Sequence, residues 1–239
     1  MTFSPLVVWH DIECGRYTAD LALWRALAAT EGGAVLDVGA GTGRVALDLA
    51  REGHDVTALD REPALLDALS ARARAASLEV ATATVDAQTF ALKRRFRLMI
   101  VPMQTIQLLP GRAGFLSTAR RHLDAGGLLA AAITPALEDF GDGENELPAP
   151  DVGTFAAWRF ASQPTAVRDL PEAMRIERVR RAFAPDGRVI EEDDVIELAH
   201  LTVERLEAEG RAAGLFPEPA RSIPPTAEHV GSEVVLLRA

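Results

Sequence analysis

Cysteine, basic side chains and long apolar runs are scarce in this sequence of 239 residues. The single cysteine, Cys14, excludes an internal disulfide, and no group of cysteines and histidines offers four zinc ligands. Only 25 lysine and arginine residues accompany 35 aspartate and glutamate residues, and the net charge of -10 disfavours nucleic acid as a partner. No stretch approaches the roughly 18 consecutive apolar residues of a membrane helix, and residues 1–9 lack the basic start of a secretion signal. We therefore expect a cytoplasmic protein with no metal site and no membrane partner.

The remaining composition is that of a globular protein, with 48% hydrophobic and 25% charged residues. Because a typical domain has about 150 residues, the length fits one enlarged domain or one domain with an insert. We predict that residues 1–134 form an N-terminal cap helix and most of the core. Residues 135–201 would form the insert, and residues 202–239 would complete the core.

Short apolar runs alternate with helical patterns between residues 33 and 134. The spacing of apolar residues predicts helices at 44–52, 63–76 and 112–123, with Gly126 and Gly127 ending the last one. Strands are predicted at 34–38, 55–59, 78–83, 98–101 and 128–134. Such alternation is typical of βαβ units, so we predict an α/β fold with a doubly wound, Rossmann-like sheet.

A different pattern follows Thr134, where prolines and glycines interrupt the chain. Alternating residues at 174–183 and 189–199 flank a Pro185-Asp186-Gly187 turn and predict an antiparallel hairpin. The acidic run within the second strand is typical of a solvated strand face. We interpret the insert as an antiparallel β lid, although its strands are equally compatible with a homodimer contact. A helix at 202–213, capped by Thr202, and strands at 215–223 and 233–237 would then return to the core.

A glycine-rich segment, Leu-Asp-Val-Gly-Ala-Gly-Thr-Gly-Arg at 36–44, joins the first predicted strand to the first predicted helix of the sheet. Glycines let a ligand approach the backbone, and the helix start offers N–H groups that have no partner within the helix. Asp60 follows Gly39 by about 20 residues, at the end of the second strand, where a carboxylate can accept both ribose hydroxyls. Together these features predict a site for a nucleoside cofactor.

The spacing of this segment separates two classes of nucleoside cofactor. The dinucleotide pattern needs a glycine at its sixth position, which is Arg44 here. Asp37 precedes the first glycine by two positions, where its carboxylate would repel a pyrophosphate but attract the ammonium group of a methionine moiety. The segment therefore favours S-adenosyl-L-methionine over a nicotinamide dinucleotide.

On these residues the sequence resembles the class I S-adenosylmethionine-dependent methyltransferases, over about residues 17–134 and 202–237. The glycine-rich segment resembles the first motif of that family. Residues 56–60 (Val-Thr-Ala-Leu-Asp) resemble the strand that ends in its ribose-binding acid, which is Asp60 here. Residues 85–87 resemble the adenine loop, and 96–104 the fourth strand. The resemblance implies a seven-stranded sheet whose last strand is antiparallel. The chain departs from the family members that methylate DNA bases, because no Asn-Pro-Pro-Tyr follows the fourth strand.

The resemblance also implies which residues contact the cofactor. Asp37 and the glycine turn would face the methionine portion, Asp60 the ribose and Asp86 the adenine amino group. Asp86 has an alternative role as a turn former, and Tyr17 an alternative role as a packed helix residue. The implied cofactor contacts are Tyr17, Asp37, Gly39, Ala40, Gly41, Asp60, Arg61, Asp86, Ala87 and Val101.

The acceptor is expected to be a small molecule methylated on nitrogen or oxygen. Methyl transfer mainly requires alignment of the acceptor, but a protonated acceptor also needs a base, and histidine suits neutral pH. The candidate bases are His10, His200 and His229, and the candidate acceptor contacts are Gln104, Gln107 and Trp158. Two alternatives stay open, an NAD(P)-dependent oxidoreductase and a non-catalytic protein that binds S-adenosylmethionine.

Overall fold

The computed structural model describes residues 3–134, 137, 147–226 and 229–239. The helices are α1 (Pro5–Cys14), α2 (Leu21–Glu31), α3 (Arg44–Arg51), α4 (Pro63–Ala75), α5 (Arg112–His122) and α6 (Val203–Ala212). The strands are β1 (Ala34–Val38), β2 (Asp55–Asp60), β3 (Val80–Thr84), β4 (Phe96–Val101), β5 (Leu123–Ile133), β6 (Asp151–Phe155), β7 (Trp158–Asp169), β8 (Ala173–Phe183), β9 (Val189–Ala199), β10 (Phe216–Ile223) and β11 (Ser232–Arg238). A short 3-10 helix, Thr105–Leu108, follows β4.

The chain divides into two compact units. The large unit comprises Tyr17–Pro135 and Leu201–Ala239, and the small unit comprises Met1–Arg16 and Ala136–His200. Residues 1–16 group with the segment Ala136–His200 in the small unit, whereas the sequence prediction placed them in the core segment 1–134.

The large unit is built on a seven-stranded sheet with the order β10-β11-β5-β4-β1-β2-β3. Neighbouring strands from β5 to β3 are parallel. The last strand, β11, runs antiparallel to both β5 and β10. This topology confirms the predicted doubly wound sheet with an antiparallel last strand.

Both faces of this sheet are covered, as the continuous apolar sequences of its central strands require. Trp24, Leu49 and Leu69 are buried on one face. Phe96, Phe115 and Leu206 are buried on the other. Because β1, β2 and β4 are parallel neighbours, their carboxyl ends meet along one edge of the sheet, where ligand sites of such folds form.

The boundary between α5 and β5 differs from the sequence prediction. The helix ends at His122, and β5 begins with the buried Leu123, so Gly126 and Gly127 lie within the strand and do not end the helix. The register between β4 and β5 shifts at this point, and Gly126 has φ +70°. A Cβ on Gly127 would lie 3.0 Å from the carbonyl oxygen of Phe96. These glycines therefore permit a bulge and a close approach of two strands.

The small unit contains a four-stranded antiparallel sheet in the order β6-β7-β8-β9. Strands β8 and β9 are the predicted hairpin. Helix α1 buries Val8, Trp9 and Ile12 in a cluster with Phe160 and Ala182 of this sheet. The sequence analysis missed β6 and β7, because the turn between them consists of Ala156 and Ala157 and has none of the usual turn residues.

Candidate functional site

The turn between β1 and α3 contains three glycines with positive φ. The angles are 72° at Gly39, 56° at Gly41 and 94° at Gly43, a region that other residues rarely adopt. A Cβ on Gly39 would lie 2.5 Å from Cγ2 of Thr105, which follows β4. The N–H groups of Gly39 and Ala40 donate to the carbonyl oxygen of Leu59 at 2.8 and 3.0 Å. The turn is therefore held between the ends of β2 and β4, and glycine is required where it contacts them.

Asp60, the last residue of β2, is positioned by this same turn. Its Oδ2 accepts a hydrogen bond from the N–H of Gly41 at 2.9 Å, and its Oδ1 accepts one from the N–H of Glu62 at 3.0 Å. A carboxylate has about four lone-pair sites, so both oxygens keep capacity for further donors. The structure thus brings Asp60 and Gly41 together, as a ribose contact beside the glycine turn requires.

Asp37 is buried next to this turn with an exposed fraction of 1%. Neither of its carboxylate oxygens has a partner in full hydrogen-bond geometry among the described residues, although the backbone N–H of Ala46 lies near enough to favour its ionised form. Burial raises the pKa of Asp37 to about 7, and the positive charge of Arg44 opposes that rise. An unpartnered buried carboxylate is costly, and a ligand that brings a cation or N–H donors removes that cost.

An ion pair lies beside Asp37. Nη1 and Nη2 of Arg44 donate to the two carboxylate oxygens of Asp20 at 2.6 and 2.8 Å. Asp20 is fully buried and also accepts a hydrogen bond from Nε1 of Trp24 at 2.8 Å. The sequence analysis missed Asp20, because an acid before a helix normally indicates only a cap. Its contact with a residue 24 positions later depends on tertiary structure.

Tyr17 also contacts Arg44. Its carbonyl oxygen accepts a hydrogen bond from Nη1 of Arg44 at 2.8 Å, and the guanidinium carbon lies 5.2 Å from the centre of its ring. The Tyr17 hydroxyl is buried and has no partner in full hydrogen-bond geometry among the described residues, although the side chain of Ser232 lies near it. Burial raises the pKa of this phenol, so the hydroxyl is a donor at neutral pH. The ring of His229 packs edge-on against Tyr17 with the centroids 4.9 Å apart, so two predicted site residues are neighbours.

The predicted adenine loop follows β3. The N–H of Val85 donates to the carbonyl oxygen of Asp60 at 3.0 Å, which places this loop beside the end of β2. Asp86 is exposed and accepts a hydrogen bond from the N–H of Gln88 at 2.7 Å, as a turn former does. Ala87 is half-buried, and the exposed Arg61 pairs with Glu62 at 3.4 Å.

The predicted acceptor contacts after β4 surround Thr134. Nε2 of Gln104 donates to Oγ1 of Thr134 at 2.9 Å. Gln107 is buried, and its side-chain amide bonds the carbonyl oxygen and the N–H of Thr134 at 3.1 and 2.8 Å. Gln107 therefore ties the segment after β4 to the end of β5. Val101 is fully buried, and Met103 has φ +55°, a strained angle for a side-chain-bearing residue that often marks a functional segment.

Three further predicted site residues belong to the small unit. His10 is half-buried in α1, and Trp158 packs near the ring of Phe160. Nε2 of His200 lies 2.7 Å from the carbonyl oxygen of Leu170 and 3.0 Å from Oδ1 of Asp169. These neighbours hold the ring of His200 in place at the end of β9.

The described residues offer neither a metal-binding cluster nor a membrane-spanning helix. No three histidine, cysteine, aspartate or glutamate side chains group as metal ligands in residues 3–134, 137, 147–226 and 229–239. Within those same ranges no helix is long and apolar enough to cross a membrane.

Comparison with known protein families gives a match over the segment that contains the glycine turn and Asp60. Residues 35–127 match the family model described as a methyltransferase domain. No curated protein sequence matches the chain. The matched segment confirms the predicted resemblance to methyltransferases.

Solved structures share the fold over almost the whole chain. One is CalS10 with bound S-adenosylmethionine, an amino pentose methyltransferase from Micromonospora echinaspora (TM-score 0.74, 21% identity, covering 100% of this chain and 98% of that chain). Another is Streptomyces venezuelae DesVI (0.75, 21%, covering 98% and 99%). A third is the sugar N-methyltransferase KedS8 from Streptoalloteichus (0.73, 20%, covering 98% and 92%). At these identities the likeness establishes the fold, including the second antiparallel sheet.

Proposed function

We propose that this chain, whose residues 35–127 match the model of a methyltransferase domain, transfers the methyl group of S-adenosyl-L-methionine to a small-molecule acceptor. The observation that carries the proposal is the buried Asp37, whose two carboxylate oxygens lack partners beside the glycine turn. A ligand ammonium group supplies the charge and the donors that this carboxylate needs. A pyrophosphate at the same place would add repulsion, which argues against the oxidoreductase alternative.

The residues present fit the cofactor at several points. Asp37 would bind the ammonium group, and the Tyr17 hydroxyl has a proton available for the carboxylate of the methionine portion. Asp60 would accept the ribose hydroxyls while the turn holds it through Gly41. Asp86, Ala87 and Arg61 would flank the adenosine, and Val101, the last residue of β4, stays a predicted cofactor contact.

Bound S-adenosylmethionine supplies a methyl group that is already activated by the positive sulfur. The chain itself has to bind the acceptor, align it with that methyl group and exclude water. An acceptor amine attacks only in its neutral form, so a nearby group must take its proton. We propose His229 for this role, because its ring packs against Tyr17 within the same compact unit.

We further propose an amino sugar as the acceptor and nitrogen as the methylated atom. The support is the likeness to two proteins whose names state this chemistry, an amino pentose methyltransferase and a sugar N-methyltransferase. His10, His200, Gln104, Gln107 and Trp158 stay predicted acceptor-side residues. A cytoplasmic location and a homodimer also remain predictions from the sequence.

Calorimetric titration with S-adenosylhomocysteine tests the cofactor assignment. We expect saturable binding with one site per chain, whereas titration with NADH should give none. Absence of S-adenosylhomocysteine binding would refute the proposal. If the cofactor binds but no amino sugar, phenol or carboxylate is methylated, the protein is the non-catalytic alternative.

A further inference from the structure

Arg44 interacts electrostatically with two carboxylates, those of Asp20 and Asp37, but it donates hydrogen bonds only to Asp20. Both of its terminal nitrogens donate to Asp20, at 2.6 and 2.8 Å. The side chains of this pair are 10% and 1% exposed, so the pair is shielded from water. Asp37, whose ionisation Arg44 and the backbone N–H of Ala46 favour, accepts no hydrogen bond from Arg44, and neither of its oxygens has a partner in full hydrogen-bond geometry among the described residues. The arginine therefore acts on Asp37 through its charge and does not occupy its oxygens.

This arrangement has a consequence for ligand binding. If Arg44 bonded Asp37 directly, the guanidinium would take up the carboxylate oxygens that an ammonium group needs. With Arg44 fixed on Asp20, that pair is neutral, and the negative charge that remains when Asp37 ionises resides on Asp37 itself. A ligand ammonium then completes the neutralisation of the group.

Three contacts hold Arg44 in this position. Asp20 provides a bidentate partner, the carbonyl oxygen of Tyr17 accepts a third hydrogen bond, and the Tyr17 ring lies under the guanidinium. Asp20 itself is fixed by Nε1 of Trp24. Both partners of the ion pair are thus restrained before any ligand arrives, as preorganised sites require.

We propose that Asp20 is a positioning residue for the cofactor: it holds Arg44 away from Asp37 and so keeps both oxygens of Asp37 open to the ammonium group. The proposal rests on the function proposed above. It assigns to Asp20 and Arg44 a positioning role that neither the glycine turn nor Asp60, the predicted ribose contact, has.

The charges that face Asp37 agree with this assignment. They are the guanidinium of Arg44 at the start of α3, the carboxylate of Asp20 before α2 and the carboxylate of Asp60 at the end of β2. Arg44 lowers the pKa of Asp37, whereas the two acids raise it together with burial. Arg44 is the only cation in that set, so its loss should keep Asp37 protonated to higher pH.

The test compares two ligands on matched variants. S-adenosylhomocysteine carries the amino-acid portion, and 5′-methylthioadenosine has the same nucleoside without it. Asp20→Asn should release Arg44 onto Asp37. The affinity for S-adenosylhomocysteine should then fall about 10-fold or more, whereas the affinity for 5′-methylthioadenosine should change less than about 2-fold. The matched control is Asp48→Asn, which breaks another bidentate pair, with Arg25, on the same helix α3. That control should leave the affinity for both ligands unchanged.

A pH series provides a second readout on the same proteins. The affinity of the wild type for S-adenosylhomocysteine should fall at low pH as Asp37 is protonated. Arg44→Gln should move the midpoint of that fall upward by about 1 pH unit or more, and Arg44→Lys should restore it in part. A purely structural role would weaken binding equally at every pH without moving the midpoint.

The possible failures are distinguishable. If the wild type does not bind S-adenosylhomocysteine at all, the proposed function fails. If the wild type binds S-adenosylhomocysteine but Asp20→Asn lowers the affinity for both ligands equally, or leaves both affinities unchanged, the proposed function stands and the role of Asp20 is refuted. An unmoved midpoint in Arg44→Gln would likewise overturn the role of Arg44.

Discussion

At the scale of single residues, Asp37 links stability to function. The carboxylate that would bind the ligand destabilises the folded protein as long as no ligand is bound. Its folded-state pKa of about 7 lies above the ordinary value of 3.8, so the folded protein keeps a proton that the unfolded chain releases between these values. The stability of the ligand-free protein should therefore decrease as pH rises from about 4 to about 7. Sites that are strained or unsatisfied in this way are common where function requires them.

This linkage predicts the behaviour of Asp37→Asn. Asparagine has the same shape but no charge, so the stability of the variant relative to the wild type should rise by roughly 2 to 3 kcal/mol between about pH 5 and about pH 8. Denaturant unfolding of the ligand-free protein at the two pH values measures the difference. A stability difference that is identical at both pH values would show that Asp37 does not titrate there.

A second prediction at this scale concerns Asp60. Asp60→Ala should weaken the binding of S-adenosylhomocysteine and of 5′-methylthioadenosine by the same amount, about 1.5 to 3 kcal/mol, because both ligands contain the ribose. Calorimetric titration of the two ligands measures this loss. Asp55→Ala, at the opposite end of β2, is the control and should change neither affinity. Retained binding in Asp60→Ala would remove this residue from the site.

At the scale of elements, the turn between β6 and β7 is a weak point of the small unit. Ala156 and Ala157 have φ of 45° and 66°, and a hairpin turn with two positive φ angles prefers Asn-Gly. The double change Ala156→Asn with Ala157→Gly should stabilise the protein by about 1 to 2 kcal/mol, since the left-handed region is costly for alanine. Denaturant unfolding measures the gain.

The neighbouring hairpin offers a matched control for that prediction. Gly187, between β8 and β9, has φ +87° and open space around its missing Cβ. Gly187→Ala should therefore destabilise the protein through backbone conformation alone, by about 1 kcal/mol. If both turns respond in the same direction, the conformational explanation is wrong.

At the scale of the whole molecule, ligand binding and folding are coupled. S-adenosylhomocysteine at about 100 times its dissociation constant should raise the stability by about 2.7 kcal/mol. For a chain of this size that corresponds to an increase of roughly 5 to 10 °C in Tm. Thermal unfolding with and without ligand measures the shift, and NADH at the same concentration should produce none. A shift with NADH alone would favour the oxidoreductase alternative.

Local patterns were sufficient for most of the large unit. The alternation of strands and helices, the glycine turn and the position of Asp60 all follow from short segments, and parallel strands bring their ends together by geometry. The same patterns failed at β5, where Gly126 and Gly127 resemble a helix stop but belong to a strand bulge. They also failed at β6 and β7, where no turn residue marks the hairpin.

The sequence by itself determined the class of fold, the location of the glycine turn and the kind of ligand that the charge of Asp37 selects. Only the tertiary structure decided that no described side chain is bonded to Asp37, that Arg44 is bonded to Asp20 and that Gln107 is bonded to Thr134. The physical reason is range. Hydrogen-bond propensity and hydrophobic periodicity act between near neighbours in the chain, whereas burial and the choice of a charged partner depend on residues that folding brings together.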